Sequence, residues 1–391
     1  MGVRVELGSP LYLRFFDVDV RLESSVPAVL APFQRLYQSF VCERASKTFN
    51  AANGSGDRSE LRFRYWEQNS TEGVLEVDGT PWPVSAALRQ SGALYEFMLR
   101  SIYSRIQSHL LIHGSAVRIG QQGILVVADS GFGKTTLALS LVMRGAGFFS
   151  DEVGAIHRAS GRLEAFPRLL RLSDESLALA GLDGFQGADW FGKRLLAIDE
   201  IREDAIAKPV RPNAVVFLVD RRSGQNLTRR TVRESLEFVL NRLPGELIEF
   251  VDQIPGIQSR EIVGGDGIVT LKLTGDAMGS VAWQIEQFCQ AHQICVFDAG
   301  TPVDTPRSYL EPATLEPLAP KHGMARLLEQ FLPGRSSRIL RDEFDGQPAR
   351  LLLEVMRLFG EVPCYVLQVG VLGQMVDLVE SLGRSQAMAC D

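Results

Sequence analysis

The stretch ADSGFGKTTLALSLVMRGAGFFSDE, residues 128 to 152, carries most of the chain's candidate chemistry. Its start, Ala128 to Thr135, matches G-x-x-x-x-G-K-[ST] except at the first position, where Ala128 replaces glycine. The physical content of the pattern survives that exception. Gly131 and Gly133 let the backbone turn tightly and present N–H groups to phosphate oxygens. Lys134 can reach β- and γ-phosphates, and Thr135 can set its hydroxyl on magnesium. Asp129, Ser130, Gly131, Phe132, Gly133, Lys134, Thr135 and Thr136 are therefore the candidate nucleotide cradle, with ATP as ligand and Mg2+ as ion. Alanine at 128 supplies the same backbone N–H as glycine and fails only if the position needs a positive φ.

A phosphate site needs a carboxylate for the metal. Transfer to a hydroxyl also needs a group that takes its proton. Two places offer acids. Asp151 and Glu152 follow the apolar run GFFS, and Asp220 ends VVFLVD. Each stands at the C-terminal end of an expected strand, where open α/β sheets bind ligands. Asp220 is followed by Arg221, Arg222 and Ser-Gly, which reads as a turn. The adjacent Asp151 and Glu152 point in different directions, so one can hold magnesium while the other faces an acceptor.

The surrounding elements must place these groups. GILVVAD is a short apolar strand of the kind buried on both faces, and TTLALSLVMRG is a helix closed by Gly145. Gln121-Gln122 marks a hairpin turn before that strand. GFFSDEVGAIHRASGRLEAF reads as strands joined at Ser-Gly, and NAVVFLVD, residues 213 to 220, as another buried strand. A helix is expected over TVRESLEFVLNRL from Thr231, with Glu234 in its first turn. IVTLKL and CYVLQV read as strands. GSVAWQIEQFCQAH, 323–330, 348–360 and LGQMVDLVESLG read as helices, and the proline-rich 299–322 as an excursion or linker. Upstream, 10–25 reads as strands, 26–45 as a helix, ELRFRYWEQ and GVLEVDGTPW as strands, and the span from Ser85 to Ile112 as one or two helices before LLIHGSAVRI returns to strand. The expected fold is α/β, with an N-terminal α+β domain over 1–108, a catalytic domain over 109–385, and an inserted or elaborated segment around 225–345.

With 391 residues, 45% hydrophobic and 23% charged, the chain is an ordinary folded protein of two to three domains. A formal charge of −6 argues against a nucleic-acid partner. Cys42, Cys289, Cys295, Cys364 and Cys390 are scattered, with neither a disulfide framework nor a zinc pattern. The N-terminus lacks a signal-peptide pattern, Glu6 breaks the myristoylation pattern, and no apolar run is long enough to span a membrane. A cytoplasmic protein without a membrane partner is the expectation.

HGSAVRIG followed by GILVVADSGFGKTTLALSLVMRGAGFFSDEVGAI resembles the catalytic core of bacterial HPr kinase/phosphorylase and its kinase relatives of unassigned target. More distantly it is similar to ATP-dependent phosphoenolpyruvate carboxykinase, which shares the same P-loop kinase fold. The likeness is strong over 109–172, weak over 172–322 and moderate over 345–385. By that resemblance Asp151 would be the base toward the acceptor hydroxyl, and Glu152 the metal ligand with Thr135. His113 would lie near the γ-phosphate or the acceptor, and Arg168, in FPRLL, would bring positive charge to the phosphates. Two departures stand out. Glu152 occupies a position where the family usually has aspartate, one methylene shorter. EIVGGDGI, 261–268, is only a thin echo of the family's glycine-rich target segment.

The resemblance implies an ATP-dependent kinase with a hydroxyl acceptor, serine-like in a protein or peptide. The same residues suit a small-molecule acceptor, and a nucleotide-binding regulatory module without transfer is the further alternative. An ABC-type or switch NTPase is disfavoured, because no LSGGQ-like signature and no NKxD are present. The resembling bacterial enzyme is a hexamer. The different N-terminal unit gives no ground for carrying that assembly over, so a homo-oligomer stays open.

Overall fold

The structure, a computed structural model, describes residues 7–42, 59–86, 88, 93–128, 132–190, 193–219, 235–265, 268–275, 278–300, 310–330 and 347–385. Asp129, Ser130, Gly131, Asp220 and Glu234 lie outside them. The described residues within Met1–Ser108 and Val232–Thr301 form one compact unit. Those within His109–Thr231, Pro302–Ser336 and Leu340–Asp391 form a second. The segment expected as an elaboration of the catalytic domain is thus divided between the two. Among the described residues no helix is long and apolar enough to cross a membrane.

The first unit holds two sheets. Leu11–Phe15, Val18–Ser24, Ser59–Glu67, Glu72–Val77 and Thr80–Ser85 pair in chain order, all antiparallel except the parallel second and third. Val18, Val20 and Leu22 face the core while Asp19, Arg21 and Glu23 face outward, the period of two that a half-buried strand requires. The expected helix over 26–45 runs only over Pro27–Leu36, and the one between Ser85 and Ile112 only over Ala93–Tyr103.

The second sheet of this unit corrects an expectation. Ser235–Leu240 is a strand, not part of a helix, and it sits between Ile268–Gly275 and Val296–Gly300, antiparallel to both. Its apolar residues satisfy either period. Pairing of Leu236 with Leu273 and Phe238 with Leu271 settles the matter through contacts distant in sequence. Helices Gly245–Gln253 and Met278–Ala291 cover it, their Leu247, Val251, Val281 and Ile285 buried against Phe238 and Leu273.

The second unit is α/β. Its six-stranded sheet runs in the order Thr314–Leu318, Cys364–Gln368, Pro212–Val219, Gln122–Val127, Ser115–Ile119, Gly147–Ser150. Pro212–Val219 is parallel to both its neighbours, and the outer pairs are antiparallel. Thr314–Leu318 lies within the stretch expected as a linker. The central strands read as unbroken apolar runs because both faces are covered.

Helix Lys134–Met143 is buried around most of its circumference. Leu137 and Leu141 pack with Val126, Val216, Val376 and Val379, the last two from helix Leu372–Ser385. Leu139 and Val142 pack with Phe148, Leu170 and Leu196. Burial of each such leucine stabilises by about 1.5–3 kcal/mol, so the helix and whatever its N-terminus presents are firmly held. At its other end Gly145 has φ 103°. The N–H of Ala146 donates to the Leu141 carbonyl at 3.0 Å and that of Gly145 to Val142 at 2.9 Å, a Schellman closure. Arg202 reinforces it by donating to the carbonyls of Val142 and Ala146 at 2.9 and 2.8 Å.

Candidate active site

Two chain segments change sheet side by side, and the candidate residues lie where they do so. His109–His113 belongs to a three-stranded sheet with Val153–His157 and Leu163–Glu164, whereas Ser115–Ile119 belongs to the six-stranded sheet. Gly147–Ser150 and Val153–His157 make the same change in the opposite direction, with Asp151 and Glu152 between them. The crossing is tied by the Gly114 N–H donating to the Glu152 carbonyl at 2.9 Å and the Ser115 hydroxyl donating to the Asp151 carbonyl at 2.8 Å. Leaving one sheet for the other takes both acids out of the strict alternation of a strand.

The glycine-rich turn ends at Gly133, whose φ of 81° favours glycine and which stands at the N-terminal cap of helix Lys134–Met143. Among the described residues no side chain caps that terminus, which leaves its first N–H groups without a side-chain acceptor there. Such a terminus attracts anions through those N–H groups and the helix dipole. Ala128 is absent from the positive-φ residues, so alanine there costs no backbone strain. The buried Lys134 amine donates to the Ala128 carbonyl at 2.7 Å, bringing the lysine back to the end of strand Gln122–Val127. Phe132 packs against the sheet core, and Thr136 is buried.

The Thr135 hydroxyl lies 3.3 Å from Oδ2 of Asp151. Asp151 is buried, and its other oxygen, Oδ1, accepts no hydrogen bond among the described residues. Arg168 Nε stands 4.0 Å from Oδ1. Burial pushes the Asp151 carboxyl up to about 6 against the pull of Arg168, and the neighbouring Glu152 adds to the rise.

Glu152 has different company. Its Oε2 lies 3.3 Å from an Arg168 guanidinium nitrogen and 3.7 Å from one of Arg171, and its Oε1 lies 3.6 Å from His113 Nδ1. Burial alone would raise this carboxyl. The combined positive charge of Arg168, His113, Arg171 and Lys134 holds it well below the usual carboxylate range instead. Lys134, Thr135, Asp151, Glu152, His113 and Arg168 are therefore brought together near the start of helix Lys134–Met143.

Arg171 was not singled out in the sequence. It alternates with the buried Leu170 and Leu172 in strand Leu170–Leu172, three residues beyond Arg168. That spacing signals a side chain opposite the core, but not whether it meets solvent or another side chain.

The arrangement fits the proposed ligands. Two neighbouring ligands of octahedral magnesium, with bonds near 2.1 Å, stand ~3.0 Å apart, close to the Thr135–Asp151 separation of 3.3 Å. Hydroxyl and carboxylate oxygens are also the donors this ion prefers, with phosphates and waters completing its shell. Lys134 and the helix N-terminus supply the charge and N–H groups that phosphate requires.

The chain matches no protein-family model. It shows distant homology to HPr kinase/phosphorylase. The protein of that name from Pelodictyon phaeoclathratiforme is 34% identical over 91 residues, 23% of this chain and 27% of its own length. That from Chlorobium limicola is 30% identical over 121 residues, 31% of this chain and 36% of its own. The matched region thus spans about a third or less of these curated relatives. The structure of the Hpr(Ser) kinase/phosphatase from Coxiella burnetii aligns over 47% of this chain and 95% of its own at 15% identity, with a TM-score of 0.20, an overlap too low to carry a structural argument. The α/β fold of the second unit is broadly consistent with the HPr kinase and phosphoenolpyruvate carboxykinase superfamily.

Proposed function

We propose that the second unit is an ATP-dependent phosphotransferase that moves the γ-phosphoryl group onto a hydroxyl, serine-like and carried by a protein or peptide. One observation carries this reading: the Thr135 hydroxyl and the buried Asp151 carboxylate meet at 3.3 Å beside Lys134, at a helix N-terminus that no side chain caps among the described residues. Homology to HPr kinase/phosphorylase supports the same class of chemistry.

In this reading Lys134 leaves the Ala128 carbonyl and pairs with the β- and γ-phosphates, while the turn and helix N–H groups bind their oxygens. Thr135 and Oδ2 of Asp151 would hold magnesium, which would neutralise phosphate charge there. The acceptor oxygen forms a bond to γ-phosphorus as the bond to the β–γ bridging oxygen breaks, and ADP leaves with that electron pair. Oδ1 of Asp151 takes the hydroxyl proton. Burial raises this carboxyl above an exposed aspartate, which favours that task. Arg168 adds positive charge where the phosphoryl group passes.

The test is transfer of label from γ-labelled ATP to serine-containing peptides and small alcohols, with and without magnesium. Magnesium-dependent label on a hydroxyl is expected. ATP that binds with no label reaching any acceptor would contradict transfer and leave a nucleotide-binding module.

A further inference from the structure

The cations around Glu152 point to a role other than holding metal. Both of its oxygens are already engaged, Oε2 by Arg168 at 3.3 Å and Arg171 at 3.7 Å, and Oε1 by His113 at 3.6 Å. A magnesium ion placed on Oε2 would stand beside two guanidinium groups and be repelled by both, while Oε1 already faces His113. Thr135, the other expected magnesium ligand, meets Asp151 at 3.3 Å.

The arginines are placed with care. Arg168 is 2% exposed, and the Arg171 side chain 14%. Two guanidinium groups converging on one oxygen repel each other unless an anion lies between them. The length of Glu152 matters here. An aspartate would hold its carboxylate ~1.5 Å farther back, one carbon–carbon bond, stretching contacts that now stand at 3.3 and 3.7 Å.

We infer that Glu152 is an internal anion and not a magnesium ligand. It keeps Arg168 and Arg171 together until a nucleotide phosphate competes for them, and Arg171 is a second phosphate-binding residue beside Arg168. The inference rests on the nucleotide reading above. It also assigns Glu152 a cost: the carboxylate occupies cations that the phosphates need, so it holds the pair in position and weakens nucleotide binding at once.

The experiment uses the full chain, calorimetric titration with ATP in the presence and absence of magnesium, and magnesium titration of the transfer rate. Glu152→Gln keeps the length and removes the charge. It should tighten ATP binding without magnesium by roughly tenfold, the middle of the range for directly coupled neighbours, and leave the magnesium concentration for half-maximal rate unchanged. Arg171→Ala should weaken ATP binding by roughly tenfold, with Arg171→Lys recovering part of the loss. In Glu152→Gln/Arg171→Ala the gain from the first change should shrink, because one of the released cations is gone. A raised magnesium requirement in Glu152→Gln, with ATP affinity unchanged in the absence of the ion, overturns the inference and restores Glu152 as a metal ligand. Unchanged ATP affinity in Arg171→Ala overturns the role of Arg171. Failure of the nucleotide reading itself looks different: the unaltered chain would not bind ATP at all, or Lys134→Ala would bind it equally well.

Discussion

The hydroxyl of Thr135, on the first turn of a buried helix, stands 3.3 Å from Oδ2 of Asp151, at the far side of that helix and the strand after it. The contact joins a glycine-rich turn to an acid at a point where two strands change sheet. It gives the proposed reaction its metal-side oxygens.

Loss of the Asp151 charge should therefore do two things. Asp151→Asn should cut transfer by about 10²–10⁴-fold through loss of the proton acceptor, and should raise the magnesium needed for half-maximal rate. Magnesium titrations of activity separate the two effects. A near-normal rate in Asp151→Asn would remove Asp151 from the chemistry.

The C-terminal end of the same helix makes a prediction about stability alone. Gly145 has φ 103°, and a Cβ there would meet nothing within 4 Å, so the penalty for Gly145→Ala is backbone strain and not collision. It should cost about 1–2 kcal/mol, lowering Tm by roughly 2–4 °C per kcal/mol in a unit of this size. Calorimetric melting measures it, and an unchanged Tm would show that the helix end relaxes freely.

A third prediction concerns acid stability. Glu164 lies 3.4 Å from Nε2 of the buried His109, an approach without hydrogen-bond geometry, and His109 is the main cause holding its carboxyl below the ordinary value of 4.5. A carboxyl lowered on folding stabilises above its unfolded value, and that contribution is lost as pH falls through the folded value. Glu164→Gln should thus lower stability by about 1 kcal/mol at pH 6 to 7, allowing for the partial exposure of Glu164. Denaturant melts at descending pH should show the difference closing below pH 4.5. A deficit that persists in strong acid would assign it to packing.

The frame of the site was legible from local signals. An apolar run, a glycine-rich turn and GKTT require a buried strand and a helix in immediate succession, and Gln122–Val127 and Lys134–Met143 provide them. The acidic pair was legible for the same reason, since Asp151 and Glu152 follow a strand one helix later. The strand Ser235–Leu240 was not legible, because Leu236, Phe238 and Leu240 fit alternation while Leu236, Val239 and Leu243 fit a helix. Its partners, around Leu271 and Ala299, lie some distance away in the chain. The company of Glu152 was hidden too. Which acid met Thr135 and which met the arginines depended on how two strands crossed between sheets, and nothing in the residues near Glu152 records the position of Arg171.

The most direct test of the account is calorimetric titration of ATP with magnesium into the unaltered chain and into Lys134→Ala. The Lys134 amine now rests on the Ala128 carbonyl, 2.7 Å away, poised to transfer to phosphate. The account predicts measurable binding to the unaltered chain and a loss of roughly a hundredfold or more in the variant, the scale of a charge-assisted contact removed from a buried site. Equal affinity in the two proteins, with both folded by circular dichroism, would contradict it.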